Sequence, residues 1–393
     1  MAEFSVPSAS LVETQKTGLT RWWKKLRSAS QREDSTLVAE RDLVAWPKDR
    51  LDQVAPPVDW SLAVDAFDQR IAQWLDVDVE DSKISQKIVF LIGPPHSGRN
   101  QTLTGWAERR ELSIWPTPDP ETVWRADSAW LERPQDNQRP WVLPELQRCF
   151  FRHADGLTLV RGFLDMALSG KLGRGVIGCD SWAWAYLQHI WHFRQPATLS
   201  LAALDAADLA VLFGDSQARD NGQPIVFKQS DTGRCVIAPP SDLSSAGESC
   251  TDYLKSLAAT SRGNVGIASA IWRMSLRRSP EGKVDEEKTA DRREFTSVWV
   301  RPLRDLELPE PPGKPNRDVA FILHALLLHD GLSFDLLEQL LPLSPSRISE
   351  TLVQLESDRL LQQSDEDTWR VSPTGYLYVR EFLHQQGYLV DSF

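Results

Sequence analysis

A strand that runs straight into a glycine-framed loop, and from there into a helix, dictates most of this chain's architecture. Lys87-Ile88-Val89-Phe90-Leu91-Ile92 is a short apolar, β-branched run, and Gly93-Pro94-Pro95-His96-Ser97-Gly98-Arg99-Asn100 follows it without a break. Such a run predicts a strand covered on both faces, as in a parallel sheet. Over residues 101–111, Leu103, Trp106 and Ala107 fall on one face of a helix. Short β-like runs alternate with helical patterns over residues 59–306. Parallel strands need crossover connections, so this alternation predicts an α/β layer structure. The loop also has a chemical consequence. Successive backbone N–H groups form an anion nest, and the helix N-terminus adds the positive end of its dipole.

The loop departs from the phosphate-loop pattern GxxxxGK[ST] at two chemically important positions. Arg99 stands at the lysine position and Asn100 at the hydroxyl position. Arginine keeps the charge, but as a bulky planar fork instead of a compact ammonium. Asparagine removes the hydroxyl that ordinarily ligates Mg2+ and leaves an amide oxygen as a weak ligand. The candidate nucleotide-binding residues are Gly93, Pro94, Pro95, His96, Ser97, Gly98, Arg99, Asn100 and Gln101. ATP is the expected ligand, with Mg2+ held weakly or not at all. The bland alternative is an ordinary tight connection between strand and helix.

The chain has 393 residues and a formal charge of −11. That length accommodates two or three domains. The negative charge argues against a protein built mainly to coat nucleic acid. Cys149, Cys179, Cys235 and Cys250 form no CxxC pair and are too few for a disulfide framework. A reducing compartment, the cytoplasm, is therefore expected. No apolar run is long enough for a spanning helix, and the start carries no signal-peptide stretch. His189 and His192 have no third ligand at a recognisable spacing, so no metal site is expected.

Composition divides the chain into five parts. Residues 1–58 are a polar segment, and 59–214 carry the α/β pattern. Residues 215–306 read as a helical region with a charged insertion at 277–294. Residues 307–316 are a proline-rich linker, and 317–393 form a compact tail. The proline-rich stretch 116–140 reads as a surface loop. Within the first part, Leu19, Trp22, Trp23 and Leu26 share one helical face, with Arg21, Lys24, Lys25 and Arg27 mostly off it. A basic amphipathic helix over 19–29 can pack on the protein's own acidic body, dock on a partner protein, or lie on an anionic membrane surface.

From residue 59 to about 306 the layout resembles the AAA+ ATPases of the origin-recognition and STAND kind, in which a P-loop α/β domain precedes a helical lid and a winged helix. The resemblance implies a role for residues 60–75 as the helix before the first strand, with Leu62, Phe67, Ile71 and Trp74 as apolar contacts. Pro140-Trp141-Val142-Leu143-Pro144-Glu145 sits where the family has its acidic strand end. By position Pro144 replaces the metal-associated aspartate, and Glu145 keeps the place of the catalytic, water-activating carboxylate. A helix over 157–168 has Leu157, Val160, Leu164 and Leu168 on one side. Asp180, ending Gly175-Val176-Ile177-Gly178-Cys179-Asp180, falls near the first sensor position, or else caps the helix that follows. Arg262 or Arg273 would reach a γ-phosphate. With Asn100 and Pro144 both altered, the supports for Mg2+ are weakened together, at a cost on the order of several kcal/mol in the transition state. Weak or no hydrolysis is expected.

Residues 317–393 read as a winged helix: three helices, the third opened by Ser344-Pro345, then a hairpin and a last helix. This part carries five arginines against twelve acids, three of them consecutive at the hairpin tip (Asp365, Glu366, Asp367). Phosphate repulsion makes DNA an unfavoured partner and a protein contact the favoured one. The reading is a P-loop nucleotide-binding or pseudo-ATPase regulatory protein acting through protein contacts, with homo-oligomers and peripheral membrane contact left open. An active ATPase switch and a DNA-linked winged-helix factor are the alternatives.

Overall fold

The computed structural model describes residues 4–5, 43–76, 87–132, 139–191, 196–214, 219–220, 223–238, 250–279, 296–309, 316–364 and 367–391. The basic helix expected over 19–29 lies outside the described residues. The chain divides into two compact units, one of Met1–Ala9, Trp60–Ala202 and Leu308–Phe393, the other of Ser10–Asp59 and Ala203–Glu307.

The first unit is built on a six-stranded sheet. Its order is Phe4–Ser5, Ala197–Leu201, Ile88–Gly93, Gly175–Asp180, Trp141–Leu143, Ser113–Ile114. The last five strands are parallel, and Phe4–Ser5 joins antiparallel at the edge. Every residue of Ile88–Gly93 is buried, because it is a central strand with helices on both faces. The two-residue side-chain period sorts it accordingly. Ile88, Phe90 and Ile92 face a core of Trp141, Phe150, Phe163 and Trp184. Val89 and Leu91 face Phe67, Ile71, Leu103 and Trp106. Helices Ser61–Asp76 and Arg99–Arg109 supply the second layer, and Thr158–Leu168 and Ser181–Ile190 contribute to the first. This is a mixed α/β fold with a parallel sheet, compatible with a P-loop-like domain.

Tryptophan accounts for much of the core. Trp115, Trp130, Trp141 and Phe163 form an edge-to-face and tilted cluster with centroids 5.2–5.7 Å apart. Each large buried aromatic contributes roughly 4–6 kcal/mol by area, before ordering entropy is subtracted. Two of the buried indole N–H groups donate to well-placed acceptors, Trp106 to Asp68 at 2.8 Å and Trp141 to the Leu172 carbonyl at 2.7 Å.

Two expected core positions are exposed. Leu62 is 58% accessible, since the buried stripe of its helix runs Ala63, Val64, Phe67, Ile71 and leaves Leu62 off the face. Leu168 is 42% accessible because the stripe Val160, Phe163, Leu164, Ala167 closes one residue earlier. The stretch 116–140 also holds a helix, Pro120–Arg125, opened by the Asp119 carboxylate and Pro120 at its first turn.

The C-terminal part of the first unit has helices Arg317–Leu328, Phe334–Leu340, Pro345–Ser357 and Tyr376–Gln385. A three-stranded antiparallel sheet joins them, in the order Leu332–Ser333, Thr368–Val371, Leu361–Gln363. Ser333 and Ser344 cap the second and third helices through their hydroxyls.

The second unit corrects one expectation. Where a helical lid was expected, helices Ala206–Gly214, Tyr253–Ser261 and Val265–Ser275 accompany a five-stranded sheet. Its middle strands, Gln223–Gln229 and Thr296–Val300, pair in parallel and bring β-branched and aromatic residues together. Arg277 and Arg278, at the start of the charged insertion 277–294, close the strand Leu276–Arg278.

Candidate functional site

The loop between Ile88–Gly93 and Arg99–Arg109 is seated where the sequence predicts, at the C-terminal end of the central strand. Ligands of open α/β sheets bind at this end. At Gly93 an added Cβ would lie 2.6 Å from the Ser97 hydroxyl, which would have to turn aside. The loop turns on the Ser97 N–H, which donates to the Pro94 carbonyl at 3.2 Å. His96 then takes a left-handed conformation, with φ of 66°. Pro94 and Pro95 bring no N–H, so the donors left for an anion are those of the first helical turn, which have no intrahelical partner.

Gly98 carries two constraints at once. Its φ is 81°, and an added Cβ would fall 1.9 Å from the Trp60 ring. Gly98→Ala is expected to cost about 2–4 kcal/mol in urea unfolding, from left-handed strain plus displacement of the indole. Gly170→Ala is the control. It has a similar φ of 77°, but its Cβ would meet only the flexible Lys87 side chain at 3.1 Å, so it should cost about 1 kcal/mol. Equal losses at the two sites would show that Trp60 does not brace the loop.

Arg99 is 5% exposed. One arm of its guanidinium donates to the Pro144 carbonyl at 2.7 Å, across the sheet edge. The sheet gives way to admit it: Gly178 has no room for a Cβ, which would sit 2.2 Å from the Pro144 oxygen and 2.9 Å from the Arg99 guanidinium. Arg99 thus ties the loop helix to the end of Trp141–Leu143. Asp180, at the end of the neighbouring strand, is fully buried and caps Ser181–Ile190 by accepting the Trp182 N–H at 3.0 Å. Burial pushes its carboxyl well above the usual range, and the Arg99 charge works against that rise. Its own N–H donates to the Gln147 side chain at 3.2 Å. Glu145 pairs with Arg148 at 3.5 Å. Asn100 accepts weakly from Thr104 at 3.4 Å, and Gln101 is exposed. Arg262 and Arg273 belong to the second unit. Arg262 ends a helix at φ of 55°, and Arg273 binds Asp52 and the Ala55 carbonyl. Among the described residues, no group of three or more His, Cys, Asp and Glu could hold a metal ion.

The loop's outer side is covered by the C-terminal part of the same unit. The His96 ring meets Tyr376 edge-on, with centroids 6.2 Å apart, and bonds the Val371 carbonyl. Burial drops its imidazole to about 4, with Asp330 opposing the shift. Tyr376 accepts from the Trp182 indole and donates to Asp391, both at 3.1 Å. Asp391 also accepts from the Ser181 hydroxyl and from Arg380 at 2.8 Å. Sequence reading missed Tyr376, Asp391 and Arg380 at this site. No spacing signal links them to a loop some 280 residues upstream.

No protein-family model matches the chain, and no curated protein sequence matches it.

Proposed function

We propose that this chain is a P-loop pseudo-ATPase of AAA+/STAND-like layout, a regulatory protein that works through protein contacts with little or no ATP hydrolysis. The observation that carries this reading is the inward hydrogen bond of Arg99. The side chain at the phosphate-binding lysine position is committed to a backbone carbonyl inside the protein. Asn100 offers no hydroxyl for Mg2+, and at the strand end a proline replaces the acid. On this reading the loop lacks the parts that stabilise phosphoryl transfer.

The C-terminal part is read as a winged helix, and its third helix favours protein over DNA as partner. Arg347, its one arginine, is held by Asp318 at 2.9 Å and Glu350 at 3.1 Å. A neutralised arginine on an acidic face gives a DNA phosphate nothing to bind. The basic segment 19–29 is the second proposed contact surface.

Purified protein with ATP and Mg2+ should turn over at background, and any nucleotide binding should be unchanged by chelating Mg2+. Turnover on the order of 1 s−1 that Arg99→Ala abolishes would make the chain a working ATPase instead.

A further inference from the structure

Residues 145–155 of the α/β body and helix Arg317–Leu328 of the C-terminal part meet at one cation and two imidazoles. The Arg152 guanidinium donates to His324 Nδ1 at 3.1 Å. Its backbone N–H points at His329 Nε2 at 3.4 Å. An N–H donor needs an acceptor, so these two ring nitrogens carry no proton. The remaining nitrogens must carry it. His329 Nδ1 faces the Gln147 carbonyl at 3.4 Å, and His324 bonds the Leu389 carbonyl. Both rings are enclosed by aromatics: His329 by Phe150 and Phe151, His324 by Trp182 and Tyr388. Both are buried, His324 6% and His329 2% exposed. The charged and titratable neighbours are Arg152 for both rings, and His329 and Tyr388 for His324. No carboxylate is among them.

We propose that Arg152, His324 and His329 form a proton-sensitive latch, which holds the C-terminal part against the α/β body while both imidazoles are neutral and releases it when they take up protons. Each proton arrives from solvent at the nitrogen that accepts from Arg152. It removes that hydrogen bond and puts a positive charge beside a guanidinium inside an apolar enclosure. Burial first, and Arg152 second for His324, depress the rings to about 3 for His324 and about 4 for His329. At these two rings the docked state therefore binds fewer protons than the open one, while Asp180, whose carboxyl Asp330 and Asp391 of the C-terminal part help to raise, works in the opposite direction. Docking is fully favoured above the ordinary imidazole value and weakens as pH falls from about 6.5 toward 4. His96, packed against Tyr376 with Asp330 and Arg370 nearby, titrates in the same direction and adds to the response.

Hydrogen exchange on the full chain tests this, read on residues 317–329 and 181–190 and corrected for intrinsic rates. Between about pH 7.5 and 5, exchange at these helices should rise about thirty-thousandfold, near thirtyfold for each latch histidine and for His96. The central strand Ile88–Gly93 should stay protected, which separates release from global unfolding. His324→Asn with His329→Gln keeps an acceptor facing Arg152 at each position and removes the titration. In that double variant the rise should shrink to about thirtyfold, the share of His96. Should the double variant be open already at neutral pH, His324→Asn and His329→Gln singly should each cut the response about thirtyfold. A wild-type change of no more than about thirtyfold, which His96 alone would give, or variants that keep the full response, would overturn the latch.

Discussion

Asp391→Ala is expected to lower stability by about 3–5 kcal/mol, a large effect for a residue close to the chain's end. Its carboxylate is fully buried and accepts from Arg380, Tyr376 and Ser181. Removing it leaves a guanidinium 18% exposed and without its anion. Two buried hydroxyls lose their acceptor as well. Such orphaned groups keep their full desolvation penalty. Urea unfolding measures the loss. Asp358→Ala serves as control, because its carboxylate meets Gln354 on an exposed helix face, and it should change stability by no more than about 0.5 kcal/mol. A loss under about 1 kcal/mol at Asp391 would mean that the tail rests on the body without fastening it.

Arg99→Ala should act on stability and leave nucleotide turnover where it was. The guanidinium is the donor to the Pro144 carbonyl and the cation that offsets buried Asp180. Without it, Asp180 keeps Asp330 and Asp391 as its charged neighbours, both of which already push its carboxyl upward. The expected cost is about 3–4 kcal/mol in urea unfolding. Arg99→Lys keeps a charge but not the fork that reaches Pro144, and it should recover part of the loss. A catalytic or phosphate-binding arginine would give the opposite pattern: intact stability with loss of binding or turnover.

Much of the α/β body is legible from residue patterns. Ile88–Gly93 is a short apolar run next to a helical period, and it forms the strand expected. The caps at Asp180 and Ser344 are readable for the same reason: a cap is settled by residues within three of it. The second unit was less legible. Gln223–Gln229 and Thr296–Val300 become neighbours across some seventy residues, and strand pairing at that separation leaves no periodic mark in either segment. Leu168 shows the smaller version of the problem, since only the closing turn of its helix decides which side meets the core.

Local chemistry alone accounts for the glycine-framed turn, for the strand and helix on either side of it, and for the missing hydroxyl and acid that hydrolysis would require. These depend on residue types and short spacings, which a linear chain states outright. Folding in three dimensions assigns the partners. It turns Arg99 toward Pro144, sets Trp60 on Gly98, lays Tyr376 over His96 and brings Arg152 between two histidines. Charge and burial act through space, and the chain order carries no record of which distant side chains will share a low-dielectric interior.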